Sequence, residues 1–395
     1  MQSRIDAWFL SRLSSFLDGV PVELRLWNDV HTSPSTPPIA TVVVRDRATL
    51  IRLLRRPALA FGQAYSAGRV VVNGDLVRLL EALNRALGGR AYEPAPRRAA
   101  NSLTSAKDNV HAHYDLGNDF YRLWLDEAMV YTCAYFEDPG ATLEDAQRAK
   151  LDYVCRKLRL QPGDRVIDAG CGWGALALFM ARNYGVTVRA FNISDEQIGY
   201  AHARARREGL ADRVTFVNGD YRTIDGECEA FVSVGMLEHV GPSDYPALGR
   251  VINRVLDRRH GRGLLHFIGR NAPMEFNPWI AQHIFPGAYA PTLSEVLPGV
   301  CEATGVSVVD VENLRVHYAL TLKHWLERFE RNAEEIRAMF DDAFVRTWRL
   351  YLASAQASFA SGDLQLFQVT FGRADDAAQP WTRHALYQTP AHGAL

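Results

Sequence analysis

Three glycines at alternate positions follow an apolar run near the middle of the chain. The segment reads Val166-Ile167-Asp168-Ala169-Gly170-Cys171-Gly172-Trp173-Gly174. Glycine lets the backbone turn sharply and lets a ligand lie against it, and a following helix begins with free N–H groups. The segment therefore predicts a strand, a turn and a helix that hold a nucleotide-type cofactor, or else a tight turn with no ligand. Its GxGxG spacing differs from the GxGxxG of dinucleotide-binding folds.

Polar residues also follow the next two predicted strands. Ser194 and Gln197 have the spacing of a helix capping box, and Asn192 directly precedes them. These residues either only cap a helix or also contact a cofactor. After the third strand, Asp220 and Tyr221 offer an acid and a flat ring, which could bind the amine and the face of an adenine. All of these are candidate cofactor contacts.

Alternating strand and helix patterns surround the candidate residues. Strands are predicted at 165–169, 187–192, 213–217, 229–234, 263–269, 306–312 and 364–371. Helices are predicted between the first five strands and at 142–160, 319–331 and 342–361. The alternation in the first part of this series predicts an α/β fold with a parallel, doubly wound sheet.

The first hundred residues have a different organisation. Short strands are predicted at 22–26, 39–44 and 70–72, with amphipathic helices around them, which indicates a small α+β domain. Glycine, proline and arginine dominate 88–105, and such a composition is typical of a linker. We therefore expect an N-terminal domain at 1–95, a linker at 96–106 and a second domain at 107–385.

The net charge of −1 conceals a division along the chain. Residues 1–106 contain 14 arginines and 8 acidic residues, a balance of +6, and the rest of the chain has a balance of −7. Five of these arginines belong to an amphipathic helix predicted at 45–56: Arg45, Arg47, Arg52, Arg55 and Arg56. A basic amphipathic helix can lie on an anionic membrane surface, or it can be a surface helix with solvated or internally paired arginines. The domain could instead mediate a dimer.

Composition excludes several other classes of protein. Five cysteines without CxxC spacing argue against a zinc site and a disulfide framework, so we expect no metal and a reducing, cytoplasmic location. The sequence contains no apolar stretch of about 18 residues, so membrane contact is expected to be peripheral. The basic residues are not interleaved with base-stacking aromatics, which argues against a nucleic-acid partner.

Several motifs occur in an order that resembles one known family. They are His113-Tyr114-Asp115-Leu116-Gly117-Asn118-Asp119-Phe120-Tyr121, Tyr131-Thr132-Cys133-Ala134-Tyr135-Phe136, the glycine loop, Ser194-Asp195-Glu196-Gln197, Gly235-Met236-Leu237-Glu238-His239-Val240-Gly241, Leu265-His266-Phe267-Ile268-Gly269-Arg270, Ile284-Phe285-Pro286-Gly287 and Asn313-Leu314-Arg315-Val316-His317-Tyr318. The glycine loop alone resembles that of class I methyltransferases. The set, from about 107 to 371, resembles the cyclopropane-fatty-acyl-phospholipid synthase family, which includes the mycolic acid cyclopropane synthases. This resemblance implies a Rossmann-like core with a mostly parallel seven-stranded sheet, S-adenosylmethionine as cofactor, and a homodimer.

The resemblance also implies a chemistry. The sulfonium methyl group of S-adenosylmethionine is transferred to a cis double bond in an acyl chain of membrane phospholipid, and the carbocation must be shielded from water. A bound bicarbonate then removes a proton so that the ring closes. The positions that match the bicarbonate site are Cys133, Glu238, His266, Ile268 (through its backbone) and Tyr318. The implied cofactor contacts are Tyr131, Thr132, Asp168, Gly170, Gly172, Gly174, Asn192, Ser194, Gln197, Asp220 and Tyr221.

Other interpretations remain open at this stage. Cys133, His266, Glu238 and Tyr318 could each be an ordinary core or helix-start residue. Seven aromatic residues are unranked candidates for the wall of an acyl channel: Tyr114, Phe120, Tyr135, Phe267, Trp279, Phe285 and Tyr289. Sister enzymes of the same family add a methyl or methylene branch without closing a ring. A methyltransferase for a soluble substrate and a lipid-binding protein without catalysis are further alternatives.

Overall fold

Two β-sheets and the helices around them make up the part of the chain that the structure, a computed structural model, describes: residues 2–34, 36–87, 116–301 and 305–387. The predicted linker at 96–106 and the first three residues of the motif at 113–121, Tyr114 among them, lie outside these residues. The strands are β1 Val22–Leu26, β2 Ala40–Val44, β3 Val70–Gly74, β4 Arg165–Ala169, β5 Thr187–Asn192, β6 Val214–Asn218, β7 Ala230–Val234, β8 Arg262–Gly269, β9 Val306–Asn313 and β10 Gln365–Arg373. The helices are α1 Gln2–Phe16, α2 Arg47–Arg55, α3 Pro57–Ser66, α4 Leu76–Leu87, α5 Asn118–Arg122, α6 Leu143–Lys157, α7 Ala175–Tyr184, α8 Asp195–Arg207, α9 Leu237–Val240, α10 Tyr245–Val255, α11 Pro278–His283, α12 Leu293–Val296, α13 Arg315–Arg331, α14 Ala333–Met339, α15 Asp342–Ser361 and α16 His384–Tyr387.

The larger sheet has seven strands in the order β6-β5-β4-β7-β8-β10-β9. Neighbours from β6 to β8 are parallel, and β10 runs antiparallel between β8 and β9. This arrangement confirms the predicted α/β fold with a mostly parallel seven-stranded sheet. After β4 the chain adds β5 and β6 on one side and then returns to add β7 on the other. Such a reversal opens a crevice at the carboxyl ends of the strands, where ligands bind in folds of this type.

The smaller sheet, β1-β2-β3, lies within the N-terminal domain predicted at 1–95 and confirms the three strands predicted there. Helix α3 was not predicted. Its sequence, PALAFGQAYS, is apolar around most of the helix, so it lacks the periodicity that distinguishes a buried face from an exposed one. The whole domain packs against the rest of the protein through α3 and α4, which lie against α15.

Direct contacts join the two parts of the molecule. Arg346 on α15 donates a hydrogen bond to the carbonyl oxygen of Ser66 at 2.8 Å, and Asn84 on α4 donates to the hydroxyl of Ser358 at 3.3 Å. Gly62 on α3 approaches the indole of Trp279 so closely that a Cβ atom there would lie 2.3 Å from the Trp279 Cγ. The N-terminal domain is thus fitted against the helices that follow the sheet.

The basic helix α2 does not offer its apolar side to a membrane. Leu50 and Leu53 are buried in the core of the N-terminal domain, and Arg47 forms an ion pair with the buried Asp6 at 2.7 Å. The remaining four arginines of the predicted basic helix are exposed. Among the described helices, none combines the length and apolar character needed to cross a bilayer.

Candidate active site

A cavity of about 330 Å³ opens at the switch point of the large sheet. Its walls come from the glycine loop, the turn after β7, the end of β8, and helices α13 and α15. Helices α3 and α4 of the N-terminal domain also contribute, through Phe61, Leu80 and Asn84. The cavity therefore combines residues of the N-terminal domain, for which the sequence predicted membrane contact or dimerisation, with residues of the second domain, for which it predicted catalysis.

The three glycines of the loop have different roles. Gly170 and Gly172 line the cavity and have positive φ angles of 91° and 55°. No atom would lie within 4 Å of a Cβ on Gly172, so this position leaves open space on the cavity side. Gly174, a predicted cofactor contact, does not line the cavity. A Cβ there would lie 2.6 Å from Phe216 Cζ, so Gly174 instead allows α7 to pack closely on the sheet.

Two buried charged groups stand behind the loop. Asp168 is 1% exposed, burial raises its pKa to about 7, and its Oδ2 atom has no hydrogen-bond partner among the described residues. Lys150 on α6 is 2% exposed, burial lowers its pKa to about 8, and its ammonium group donates to the hydroxyl of Thr132 at 2.9 Å. Both residues and Thr132 line the cavity. An unpartnered carboxylate oxygen beside an open loop is suited to a polar ligand.

The ends of β5 and β6 contribute further predicted residues. Asn192 donates to Gln197 Oε1 at 2.6 Å, and both side chains line the cavity. Ser194 does not line it: the side chain is fully buried, and its hydroxyl accepts from the Gln197 N–H at 3.3 Å. Ser194 is a helix cap that holds Gln197 in place, so the capping interpretation is the one the geometry supports for this residue.

Asp220 and Tyr221 line the cavity after β6, together with a residue that the sequence analysis missed. Arg222 pairs with the Asp220 carboxylate at 3.1 Å and lies over the Tyr221 ring at 4.8 Å from its centroid. The acid is therefore already engaged by a cation. Burial raises the pKa of Tyr221 to about 12, so its hydroxyl stays protonated near neutral pH.

The five positions that match the bicarbonate site all line the same cavity: Cys133, Glu238, His266, Ile268 and Tyr318. Glu238 on α9 accepts a hydrogen bond from the backbone N–H of Ile268 at 2.6 Å. Its second oxygen, Oε2, is buried without a partner among the described residues, and burial raises the pKa of the carboxyl group to about 7. Glu238 thus has one anchored oxygen and one that is available to a ligand.

The other members of this polar cluster have restricted protonation states. Burial raises the pKa of the Cys133 thiol, which donates to the carbonyl oxygen of Ala134 at 3.1 Å, so Cys133 is not a thiolate. Burial also holds the pKa of His266 well below its usual range, and the neighbouring charges of Lys150 and Lys157 add to this effect. His266 is therefore neutral, and its Nδ1 lies 3.0 Å from Gln368 Nε2.

Aromatic side chains form much of the remaining wall. Tyr131 lines the cavity, and its hydroxyl is 2.7 Å from that of Tyr351 on α15, a residue that the sequence analysis did not single out. Tyr318 packs against Phe359, with 4.5 Å between the ring centroids. Among the seven candidate wall residues, Trp279 and Phe285 line the cavity. Phe120, Tyr135, Phe267 and Tyr289 do not.

Strand alternation explains why Phe267 is not in the wall. Successive side chains of a strand point to opposite faces, so when His266 and Ile268 face the cavity, Phe267 must face the other side of the sheet. There it packs against Phe367, with 5.8 Å between the ring centroids. Phe120 and Tyr135 have different partners: Phe120 packs against Trp348 and Tyr135 stacks on Tyr153.

Lys150 carried a signal that could have identified it from sequence. It lies at helical spacing from Leu143, Ala146, Gln147 and Val154, on the buried side of α6. Lysine is almost never fully buried unless it is paired. A lysine on the apolar side of a predicted helix therefore indicates a polar partner or a functional site. Arg222 directly follows the predicted contacts Asp220 and Tyr221, and Arg270 ends the motif that contains His266 and Ile268. Tyr351 had no comparable signal, because tertiary packing alone brings it to the cavity.

The sheet order and the glycine loop at its switch point define a class I methyltransferase. Open space at Gly172, the unpartnered Asp168 oxygen and the polar ends of β5 and β6 fit S-adenosylmethionine as the cofactor. The family profile described as "Mycolic acid cyclopropane synthetase" matches residues 101–369. The chain therefore belongs to this family of S-adenosylmethionine-dependent methyltransferases, which act on lipids by cyclopropanation or methylation.

Individual relatives agree with this assignment. A probable fatty acid methyltransferase of Pseudomonas putida is 37% identical over 383 residues, covering 93% of this chain and 97% of the relative. The cyclopropane-fatty-acyl-phospholipid synthase of Escherichia coli K12 is 41% identical over 262 residues, 66% of each chain. A crystal structure of a mycolic acid cyclopropane synthase complexed with SAH and CTAB superimposes with a TM-score of 0.64 at 32% identity, covering 68% of this chain and 98% of that one.

Proposed function

We propose that this protein transfers a methylene group from S-adenosylmethionine to the cis double bond of an unsaturated acyl chain in membrane phospholipid, giving a cyclopropane ring. The observation that carries the proposal is the position of the cluster of Glu238, His266, Cys133 and Tyr318. It lines the same cavity as the glycine loop, beside aromatic and aliphatic walls. Bound S-adenosylmethionine supplies an electrophilic methyl group, and this chain's residues position an alkene against it and keep water away.

The polar cluster is suited to a small anion that acts as the base, and we assign bicarbonate to it. Glu238 Oε2 would accept a hydrogen bond from the bicarbonate hydroxyl, or donate one when the carboxyl group is protonated, because its pKa is about 7. Neutral His266 and the Tyr318 hydroxyl would orient the anion. Cys133, held as a thiol, closes the site without adding a second negative charge.

The acyl chain is proposed to lie along the apolar part of the cavity. Phe61 and Leu80 of the N-terminal domain, Trp279 of α11, and Leu350 and Phe359 of α15 form this part. Apolar walls shield a carbocation from water, and ring faces stabilise positive charge. The same walls disfavour a soluble amine or hydroxyl compound as substrate, since such a molecule needs polar partners along its length.

Product analysis tests the proposal directly. The purified protein is incubated with S-adenosylmethionine and vesicles of cis-unsaturated phospholipid, and the acyl chains are examined by mass spectrometry and proton NMR. A gain of one CH2 with high-field ring protons supports cyclopropanation. A gain of one CH2 with a methyl or exocyclic methylene signal identifies the sister reaction, which is the second candidate because the Pseudomonas putida relative is named a probable fatty acid methyltransferase. No mass change on any phospholipid contradicts both.

We further propose that the N-terminal domain docks on an anionic phospholipid surface through one side of α1. This α1 surface consists of Ile5, Trp8, Arg12 and Phe16, which follow each other at helical spacing. Ile5, Trp8 and Phe16 are 47%, 55% and 60% exposed, and the Arg12 guanidinium lies over the Trp8 ring. Helix α2, with its exposed arginines, packs beside α1. An apolar strip next to positive charge matches the headgroup region of an anionic bilayer.

A further inference from the structure

We infer that Gln368 and Lys157, two residues outside the cavity, fix His266 in the tautomer with its proton on Nε2. They are positioning residues: they act on the reaction through His266. The tautomer follows from the structure alone, and only its consequence for turnover rests on the function proposed above. Neither Gln368 nor Lys157 lines the cavity, whereas His266 does.

The register of the sheet brings the residues of this network together. His266 on β8 is directly opposite Gln368 on β10, and Gln368 is directly opposite Glu312 on β9. Residues opposite each other on paired strands point to the same face of the sheet. The row of His266, Gln368 and Glu312 therefore lies on one face, and Lys157, the last residue of α6, joins it. His266 and Gln368 are 2% and 1% exposed, so water does not compete for their hydrogen bonds.

Hydrogen-bond donors and acceptors leave one consistent assignment for this row. The Lys157 ammonium group pairs with the Glu312 carboxylate and lies 2.7 Å from a side-chain atom of Gln368. An ammonium group can only donate, so that atom must be the amide oxygen. The other end of the amide is then the NH2 group, which also can only donate, and it lies 3.0 Å from His266 Nδ1. Nδ1 must therefore accept, and the imidazole proton must be on Nε2.

Two further contacts keep Lys157 in place. The Tyr153 hydroxyl donates to the same Glu312 carboxylate at 3.0 Å, and the ammonium group lies 4.5 Å from the centroid of the Tyr153 ring. Because Nδ1 is occupied by Gln368, Nε2 is the nitrogen of His266 that remains for a ligand in the cavity. The cavity thus receives an N–H donor, which matches an anion better than a bare nitrogen lone pair would.

The substitution Gln368→Glu reverses the direction of the hydrogen bond between this position and His266. A carboxylate can accept from both Lys157 and His266, so it moves the imidazole proton to Nδ1 or creates an imidazolium ion. Histidine-selective 15N labelling of the full-length protein and long-range 1H–15N spectra report the tautomer, with the His266 signal identified by its loss in His266→Ala. We expect a protonated Nε2 and an unprotonated Nδ1 in the wild type. In Gln368→Glu we expect a protonated Nδ1, an unchanged affinity for S-adenosylmethionine and a kcat lower by about a hundredfold.

Gln365→Glu is the matched control, because Gln365 is another buried glutamine on β10. It lies three residues from Gln368, and side chains alternate between the faces of a strand, so Gln365 points to the opposite face of the sheet. It should leave the His266 spectrum unchanged. A wild-type signal with the proton on Nδ1, or a Gln368→Glu spectrum identical to wild type, overturns the inference. A shifted tautomer with unchanged turnover would leave the tautomer assignment standing and would instead contradict the role proposed for His266 in the reaction.

Discussion

Burial controls the protonation of the ionisable groups around the cavity. Asp168 and Glu238 are carboxyl groups whose pKa values are raised to about 7, and Lys150 is an ammonium group whose pKa is lowered to about 8. His266 is held neutral. In each case desolvation is the largest cause, because the charged form loses its hydration inside the protein. Ligands that bring charge into this cavity are expected to shift these equilibria.

Glu238→Gln should abolish most of the turnover without affecting cofactor binding. The glutamine oxygen can still accept the hydrogen bond from the Ile268 N–H. The amide nitrogen at the position of Oε2, however, neither takes up nor releases a proton. We expect kcat to fall by a factor on the order of 100 or more, with an unchanged affinity for S-adenosylmethionine by isothermal titration calorimetry. A large loss of cofactor affinity would show that Glu238 belongs to the cofactor site instead.

The same variant should change the pH dependence of stability. The folded-state pKa of Glu238, about 7, is above its ordinary value of 4.5, so the folded state binds the proton more tightly than the unfolded state. Ionisation of Glu238 therefore destabilises the fold as pH rises from about 4.5 to 7. Glu238→Gln should be more stable than wild type by about 3 kcal/mol above pH 7, and the difference should disappear below about pH 4.

Urea unfolding at pH 4 and pH 8 measures this difference. The exposed Glu335→Gln controls for the change in net charge and should not reproduce it. Equal stability of wild type and Glu238→Gln at pH 8 would mean that the carboxylate has a partner that compensates for its burial.

At the scale of elements, two glycines of the glycine loop have different roles: one leaves space for a ligand and the other allows close packing in the core. Gly172 faces open space and Gly174 faces Phe216, although both have positive φ angles. Alanine at either position carries the cost of a left-handed backbone, about 1–2 kcal/mol. Only at Gly174 does the new methyl group also meet a side chain in the core.

We therefore expect the two alanine variants to differ in kind. Gly174→Ala should lower the free energy of unfolding by roughly 1–3 kcal/mol more than Gly172→Ala, because of overpacking against Phe216. Gly172→Ala should mainly weaken S-adenosylmethionine binding, because its methyl group occupies space in the cavity. Chemical denaturation and calorimetric titration of both variants distinguish the effects. A Gly174→Ala protein with normal stability and weak cofactor binding would reverse our assignment.

At the scale of the whole molecule, the N-terminal domain completes the cavity wall. Trp279 and Gly62 of the N-terminal domain both line the cavity, and they lie against each other there. A change at this contact should therefore be felt by the acyl chain, although Gly62 is far in sequence from the catalytic motifs.

Gly62→Ala should displace Trp279, because its Cβ would lie 2.3 Å from the indole ring. We expect a lower rate on phospholipid vesicles and a changed preference for acyl chain length, with unchanged S-adenosylmethionine affinity. Gly199→Ala on α8 is the control, since no atom lies within 4 Å of its Cβ position. The control should be neutral or more stable by up to about 1 kcal/mol, as for other glycines within helices. Equal activity of the two variants on phospholipid vesicles would show that this contact of the N-terminal domain has no effect on substrate binding.

Membrane docking through the α1 surface makes a different prediction. The triple variant Ile5→Ser, Trp8→Ser, Phe16→Ser should lose co-sedimentation with vesicles that contain anionic phospholipid. Trp381→Ser, which alters a fully exposed tryptophan elsewhere, should bind like wild type. Wild-type binding should be stronger to anionic than to neutral vesicles and should weaken with salt. Normal vesicle binding by the triple variant would contradict docking on lipid. A change of the triple variant from a dimer to a monomer in light scattering would also contradict it, and would indicate that the α1 surface is a contact between copies of this chain.

The order of the motifs, through its resemblance to a known family, indicated the five residues of the polar cluster. The amino-acid sequence by itself determined the strands of both sheets and the glycine loop. Hydrophobic periodicity and glycine act over a few residues, so these features can be read locally. Only the tertiary structure placed Phe267 on the far side of the sheet, left Ser194 and Gly174 out of the cavity lining, and brought Phe61 to the cavity wall. It also paired His266 with Gln368, which is 102 residues away. Strand register and burial decide such contacts, because both depend on segments that are distant in the chain and meet only in the folded protein.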